Sequence, residues 1–181
     1  MESILNKANI ITSVEKISLR GCVAYSLMCL EKYIMCIFPD KSWRVLVEHL
    51  WDFTNGAIPI DVWDEKTCEL LPECIFENNY YDSRFSIITE KEYDFFVNLY
   101  SDIDENISCI LEYICDMEEN FAYTVVNGKK NILPQKISYI LDILIENKID
   151  IPDIALLEFS KRDENNGLGN CFDGSKFSII L

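Results

Sequence analysis

The sequence contains little of several residue types that catalytic and metal-binding motifs need. It has one histidine, His49, and six glycines among 181 residues. Neither the Gly-x-Ser-x-Gly motif of serine hydrolases nor the His-Glu-x-x-His motif of zinc proteases occurs. His49 lies in the apolar stretch VLVEHLW, which favours a packed histidine over a catalytic base, although a cysteine–histidine pair stays open. We therefore predict no catalytic residue, no metal site and no cofactor.

The eight cysteines include no Cys-x-x-Cys pair, and a zinc site built from them would have no recognised spacing. The opening MESILNKANI has no basic stretch followed by an apolar one, so no secretory signal is expected. The longest apolar stretches are broken by Arg20, Glu31 and Lys32, which excludes a membrane span. We predict a cytoplasmic protein whose thiols are reduced and mostly buried.

Basic residues are scarce, since 16 of them face 31 acidic ones and give a net charge of −15. Residues 61–119 hold 17 acidic and 3 basic residues, whereas the two flanking regions are almost neutral. A strongly acidic chain is a poor partner for phosphate backbones and anionic membranes. Direct binding to nucleic acid or membrane is therefore not expected, and a basic protein partner is favoured.

Apolar residues recur at spacings of three and four over most of the chain, which is typical of helices. Between Val14 and Phe38 the apolar stripe is wide enough to predict a central, buried helix that begins at a capping box, Thr12-x-x-Glu15. A second helix over 42–53 is expected to stop at Asn55-Gly56.

Later helices follow from similar signals. Pro72 is expected to interrupt a helix over 61–71, and Thr89-x-x-Glu92 is a second predicted capping box. Further helices are predicted over 89–100, 103–118, 134–147 and 152–159, and extended pieces over 121–126 and 176–181. The expected fold is a single mostly α domain, residues 1–181. It is a bundle of about six or seven helices with at most a short β-hairpin or terminal strand.

Carboxylates recur every fourth residue through the first half of the acidic segment: Asp61, Glu65, Glu69, Glu73 and Glu77. On an unbroken helix they would form a ladder, with only Lys66 nearby to offset the repulsion. A second acidic face is predicted further along, opposite an isoleucine stripe: Glu105, Glu112, Asp116 and Glu119. A solvated face explains either pattern alone, but two in one segment favour an extended negative surface.

Aromatic residues accompany these carboxylates, among them Trp63, Tyr80, Tyr81, Tyr93 and Tyr100. Tyrosine and tryptophan beside charged residues are typical of interface hot spots, although each residue is individually more often part of a core. The predicted partner-binding set therefore consists of the two acidic groups and Trp63.

Three stretches of the sequence carry a family resemblance: SWRVLVEHLWDFTNG, DVWDEKTCELLPECIFE and the closing NGLGNCFDGSKFSIIL. The chain resembles the small, acidic, mostly helical immunity proteins encoded beside bacterial polymorphic or contact-dependent toxins. The resemblance covers about half the chain and identifies no functional residue. It implies a cytosolic protein that binds and blocks one cognate toxin domain, for which a basic nuclease would suit the acidic segment.

Two other functions remain open. The chain could be an enzyme that uses a cysteine or a carboxylate-bound metal, or a self-associating structural protein. Bound metal or loss of activity on His49→Ala would favour the enzyme, and light scattering at several concentrations would identify self-association.

Overall fold

The structure is a computed structural model that describes the backbone of residues 2–77, 79–127 and 132–181. It describes the side chains of residues 7–77, 79–117 and 132–181. The described residues form helices and no strand, which confirms the mostly α prediction. The eight helices are α1 (Glu2–Val14), α2 (Leu19–Ile37), α3 (Arg44–Asn55), α4 (Ile60–Leu70), α5 (Pro72–Phe76), α6 (Glu90–Tyr100), α7 (Glu105–Asn127) and α8 (Leu133–Glu146). Three 3-10 turns follow at Ile154–Leu157, Glu164–Gly167 and Gly174–Phe177.

The central helix is α2, which packs against α3, α7 and α8. Every residue from 17 to 31 is buried, so the wide apolar stripe was interpreted correctly. The helix begins later than predicted, because Ser18 is its N-cap and accepts a hydrogen bond from the Gly21 amide. The predicted capping box at Thr12 is therefore wrong, because Thr12 lies inside α1, a helix that the sequence did not predict.

The sequence signals for the ends of three other helices were predicted correctly. Gly56 ends α3 in the left-handed conformation with φ of 68°, as the Asn55-Gly56 pair predicts. Pro72 separates α4 from α5. Thr89 and Glu92 form the predicted capping box of α6.

Three further predictions about the fold are wrong. Residues 121–126 are helical, because α7 continues to Asn127 and extending a formed helix costs less than starting a strand. Residues 174–177 form a 3-10 turn instead of a terminal strand. The thiols are free but not mostly buried, since only Cys22, Cys29 and Cys115 are buried among the eight.

Buried charges attach the C-terminal segment to the helices. The Glu31 carboxylate accepts hydrogen bonds from the Trp51 indole at 2.6 Å, the Ser178 hydroxyl at 2.8 Å and the Ile179 amide at 2.6 Å. Arg20 donates to the carbonyl of Gly169 at 3.1 Å. These contacts hold the chain end against α2 and α3. Among the described residues, no helix combines the length and apolarity that a membrane crossing requires.

Candidate functional site

The acidic segment folds into α4, α5, α6 and the first half of α7, and α4 packs against both α5 and α7. Most of the predicted carboxylates remain accessible to solvent: Asp61, Glu65, Glu73, Glu77 and Glu105 are exposed, and Glu112 and Asp116 are half-buried. We call these seven side chains the acidic surface. The side chain of Glu119 lies outside the described residues.

Glu69 is an internal residue, and its prediction as a partner contact is wrong. Its side chain is buried, and the carboxylate accepts hydrogen bonds from the backbone amides of Ser86, Ile87 and Ile88 at 2.7–3.1 Å. The Ser86 hydroxyl adds another at 2.8 Å. Burial opposes ionisation of Glu69, but these hydrogen bonds outweigh it and lower the pKa of the carboxyl. Glu69 therefore holds the loop before α6.

The helix geometry explains why Glu69 leaves the ladder. Successive residues on an α-helix are rotated by about 100°, so a spacing of four drifts by about 40° per step. Glu69 consequently lies about 80° around the helix from Asp61, which turns it from solvent toward the loop.

Trp63 is fully buried, so the prediction that it contacts a partner is wrong. Its indole donates a hydrogen bond to the His49 carbonyl at 3.0 Å. The centroids of the Trp63 and Phe53 rings lie 4.7 Å apart. Tyr93 and Tyr100 are also buried. Tyr80, by contrast, is 60% exposed, and in the sequence it comes three residues after Glu77 of the acidic surface.

His49 is a packed histidine, as predicted. Its Nε2 lies 2.9 Å from the Thr67 hydroxyl, which itself donates to the Trp63 carbonyl at 2.7 Å. The Thr67 proton is thereby used, so Nε2 carries the proton of a neutral imidazole and donates to Thr67. Burial, aided by Lys66, lowers the pKa of His49 to about 4. Nε2 of His49 is therefore engaged with Thr67 and cannot at the same time activate a cysteine.

The two predicted acidic faces meet where Glu73 of α5 contacts Glu112 of α7. The hydrogen bond to Glu73 and partial burial raise the pKa of Glu112 to about 7, and the neighbouring Asp116 adds to the rise. Two carboxylates in contact cannot both carry a charge cheaply, so Glu112 keeps its proton to a higher pH than an isolated glutamate does. Burial raises the pKa of the Cys109 thiol, and the charges of Glu112, Glu105 and Glu73 add to the rise.

The basic side chains that pair with the acidic surface are not the one predicted from the sequence, which was Lys66. Lys66 pairs with Glu92 at 3.4 Å rather than with the ladder. Arg84 forms an ion pair with Glu77, and Lys136 of α8 forms one with Asp116. Glu73 and Glu112 are thus each followed, four residues later, by a carboxylate that forms an ion pair.

A groove with a volume of about 380 Å³ opens on this side of the molecule. Its lining residues come from the end of α4 and from α5: Cys68, Leu71, Glu73, Cys74 and Glu77. Beside it the potential ligand atoms of Asp64, Cys68 and Cys115 all lie within 4.8 Å of one another.

This cluster was missed from the sequence. The spacing of four between Asp64 and Cys68 was a usable signal, because it places both on one face of α4. Nothing in the sequence pairs that face with Cys115.

No protein-family model matches the chain, and neither a curated protein nor a solved structure matches it.

Proposed function

We propose that the chain is a binding protein that uses its acidic surface to capture a basic protein domain, and that this domain is a bacterial toxin which the chain neutralises. The observation that carries the proposal is the contact between Glu73 and Glu112. It joins the carboxylates of α5 to those of α7, and α4 extends the same charge toward Asp61 and Glu65.

The crowding of like charges supports a cationic partner. The raised pKa of Glu112 means that its charged form is disfavoured in the free protein. A lysine or arginine placed between Glu73 and Glu112 would favour ionisation of Glu112. A partner would thus gain an ion pair and relieve an existing repulsion at the same place, and such complementarity mainly speeds association and selects the partner.

Exposed apolar side chains stand beside the charges. Phe76 is 37% exposed and Tyr80 is 60% exposed, and they lie on either side of Glu77 in the sequence. Aromatic side chains surrounded by charged residues are typical of binding hot spots. Tyr80 and Phe76 take the place of the buried Trp63 as the proposed aromatic contacts.

The identity of the partner as a toxin rests on the resemblance to immunity proteins described above. That family consists of small acidic helical proteins, and the mostly α fold agrees with it. Inhibition by binding also fits a chain whose histidine is occupied in the core.

The test uses the domain that this proposal places in an adjacent reading frame, expressed in a bacterial host with and without this chain. We expect the domain alone to stop growth and co-expression to restore it. The key variant reverses three exposed charges, Glu65→Lys, Glu73→Lys and Glu105→Lys. Each exposed ion-pair contact is worth up to about 1 kcal/mol, so the triple variant should weaken binding on the order of 100-fold at low salt.

A matched control reverses three exposed carboxylates outside residues 61–119, Asp40→Lys, Glu146→Lys and Asp150→Lys. It changes the net charge equally and should retain rescue and affinity. Titration calorimetry at two salt concentrations should show a steeper salt dependence for the wild type than for the key variant. Equal affinities for the two triple variants would overturn the surface assignment, and a harmless adjacent domain would overturn the toxin assignment.

A further inference from the structure

Three side chains with metal-ligating atoms converge between α4 and α7. The carboxylate of Asp64 and the sulfur atoms of Cys68 and Cys115 all lie within 4.8 Å of one another. Asp64 and Cys68 are half-buried, and Cys115 is 6% exposed. The site is thus partly shielded from water, and it is distinct from the seven residues of the acidic surface.

The local geometry brings these groups together. Residues four apart lie on one face of a helix, so Asp64 and Cys68 point the same way from α4. Because α7 packs against that face, Cys115 meets them from the opposite side. A hydrogen bond between the two thiols and the burial of Cys115 raise the pKa of the Cys115 thiol.

The donor set selects the metal. Two sulfur ligands and one carboxylate are suited to zinc, whereas magnesium and calcium require oxygen ligands. In a tetrahedral site with zinc–sulfur bonds of about 2.3 Å, the two sulfur atoms stand about 3.8 Å apart. A separation within 4.8 Å therefore needs a contraction of no more than about 1 Å, which rotation of three side chains can supply.

The groove provides a route from solvent. Cys68 lines it together with Glu73 and Glu77, so the approach to the cluster is bordered by carboxylates. A negatively charged cleft raises the local concentration of cations.

We propose that Asp64, Cys68 and Cys115 bind one zinc ion that joins α4 to α7. Binding forms two zinc–sulfur bonds and one zinc–oxygen bond, and the thiols of Cys68 and Cys115 each release a proton to the buffer. Three protein ligands leave the fourth position to water or to a donor from outside the cluster. This site does not depend on the proposed partner, since none of the charge-reversed residues is a ligand.

The experiment titrates the full chain with zinc sulfate by calorimetry, in a phosphine reductant that prevents a disulfide between the two thiols. We expect one ion per chain. Asp64→Asn, Cys68→Ser and Cys115→Ser should each weaken binding by more than about tenfold, because each removes one ligand. Cys36→Ser and Cys171→Ser, at exposed cysteines away from the cluster, serve as matched controls and should not change the affinity.

Cobalt(II) in place of zinc gives a second readout. We expect a thiolate-to-cobalt charge-transfer band and the visible bands of tetrahedral cobalt in the wild type. The charge-transfer band should decrease in Cys68→Ser and in Cys115→Ser and persist in Asp64→Asn, whose sulfur ligands remain. Circular dichroism verifies that each variant is folded, and Asp64→Asn is the variant closest in shape to the wild type.

Zinc should also raise the melting temperature of the wild type, and it should raise that of Cys68→Ser by less at the same zinc concentration. Three outcomes would overturn the proposal: no stoichiometric binding, equal affinities for wild type and ligand variants, or equal weakening by the two control variants.

Discussion

Replacing Glu112 by glutamine should stabilise the protein at alkaline pH and leave it unchanged at acid pH. Glutamine can still donate a hydrogen bond to the Glu73 carboxylate, but it carries no charge. In the wild type, the Glu112 pKa is raised from 4.5 to about 7. The folded state therefore binds the proton more tightly than the unfolded state, and the stability that this proton confers is lost as the pH rises from about 4.5 through about 7.

The size of the effect follows from this shift. A rise from 4.5 to about 7 corresponds to at most about 3 kcal/mol. Glu112 is only half-buried, and solvent screening reduces the free energy to about 1–2 kcal/mol. For a chain of this length that amounts to a melting temperature about 3–6 °C higher at pH 8.5.

The assay is urea denaturation of wild type and variant at pH 5 and pH 8.5, with a chelator present to remove divalent metals. Glu65→Gln, at an exposed position of α4, is the matched control and should change the unfolding free energy by less than about 0.5 kcal/mol at either pH. Combining Glu73→Gln with Glu112→Gln should add little, because either change alone removes the repulsion. A gain that is the same at pH 5 and pH 8.5, or equal for Glu65→Gln, would refute the reasoning.

Three further predictions concern buried contacts. Glu69→Ala leaves the amides of residues 86–88 without their acceptor and should cost about 2–4 kcal/mol at pH 7 in urea denaturation. Because the Glu69 pKa is lowered below 4.5, the difference from wild type should shrink as the pH falls below that value, and a constant difference would contradict the assignment. Glu31→Gln puts an amide group among three donors and should speed hydrogen exchange at residues 179–181, whereas Glu48→Gln, exposed on α3, should not. Gly174→Ala places a Cβ against Thr54 Oγ1 and 2.5 Å from the Trp51 ring, and it should cost about 2 kcal/mol or more. Ser175→Ala, at an exposed position, should melt near the wild type.

Features that depend on a few neighbouring residues were predicted from the sequence. The Thr89 capping box, the interruption at Pro72 and the stop at Gly56 each involve contacts within one helical turn. The buried character of α2 was also readable, because nearly all of its faces carry apolar residues. The net charge of residues 61–119 is likewise a property of the sequence alone.

Glu65 and Glu69 belong to the same ladder with a spacing of four, yet Glu65 is exposed and Glu69 is buried. The tertiary structure decided this difference. Glu65 faces solvent, while the rotation of α4 brings Glu69 to the loop before α6, where backbone amides need an acceptor. Trp63 was wrongly predicted to contact a partner for a similar reason, since the packing of α3 against α4 buries it.

By itself, the sequence determined the mostly α fold and the acidic middle segment, because helix signals are local and charge is additive. Only the tertiary structure decided which carboxylates stay in solvent, that Glu73 meets Glu112, and that Asp64 and Cys68 meet Cys115. Those pairs lie about 40 residues or more apart in the sequence. Their contact depends on how α4 packs against α5 and α7, which no local pattern encodes.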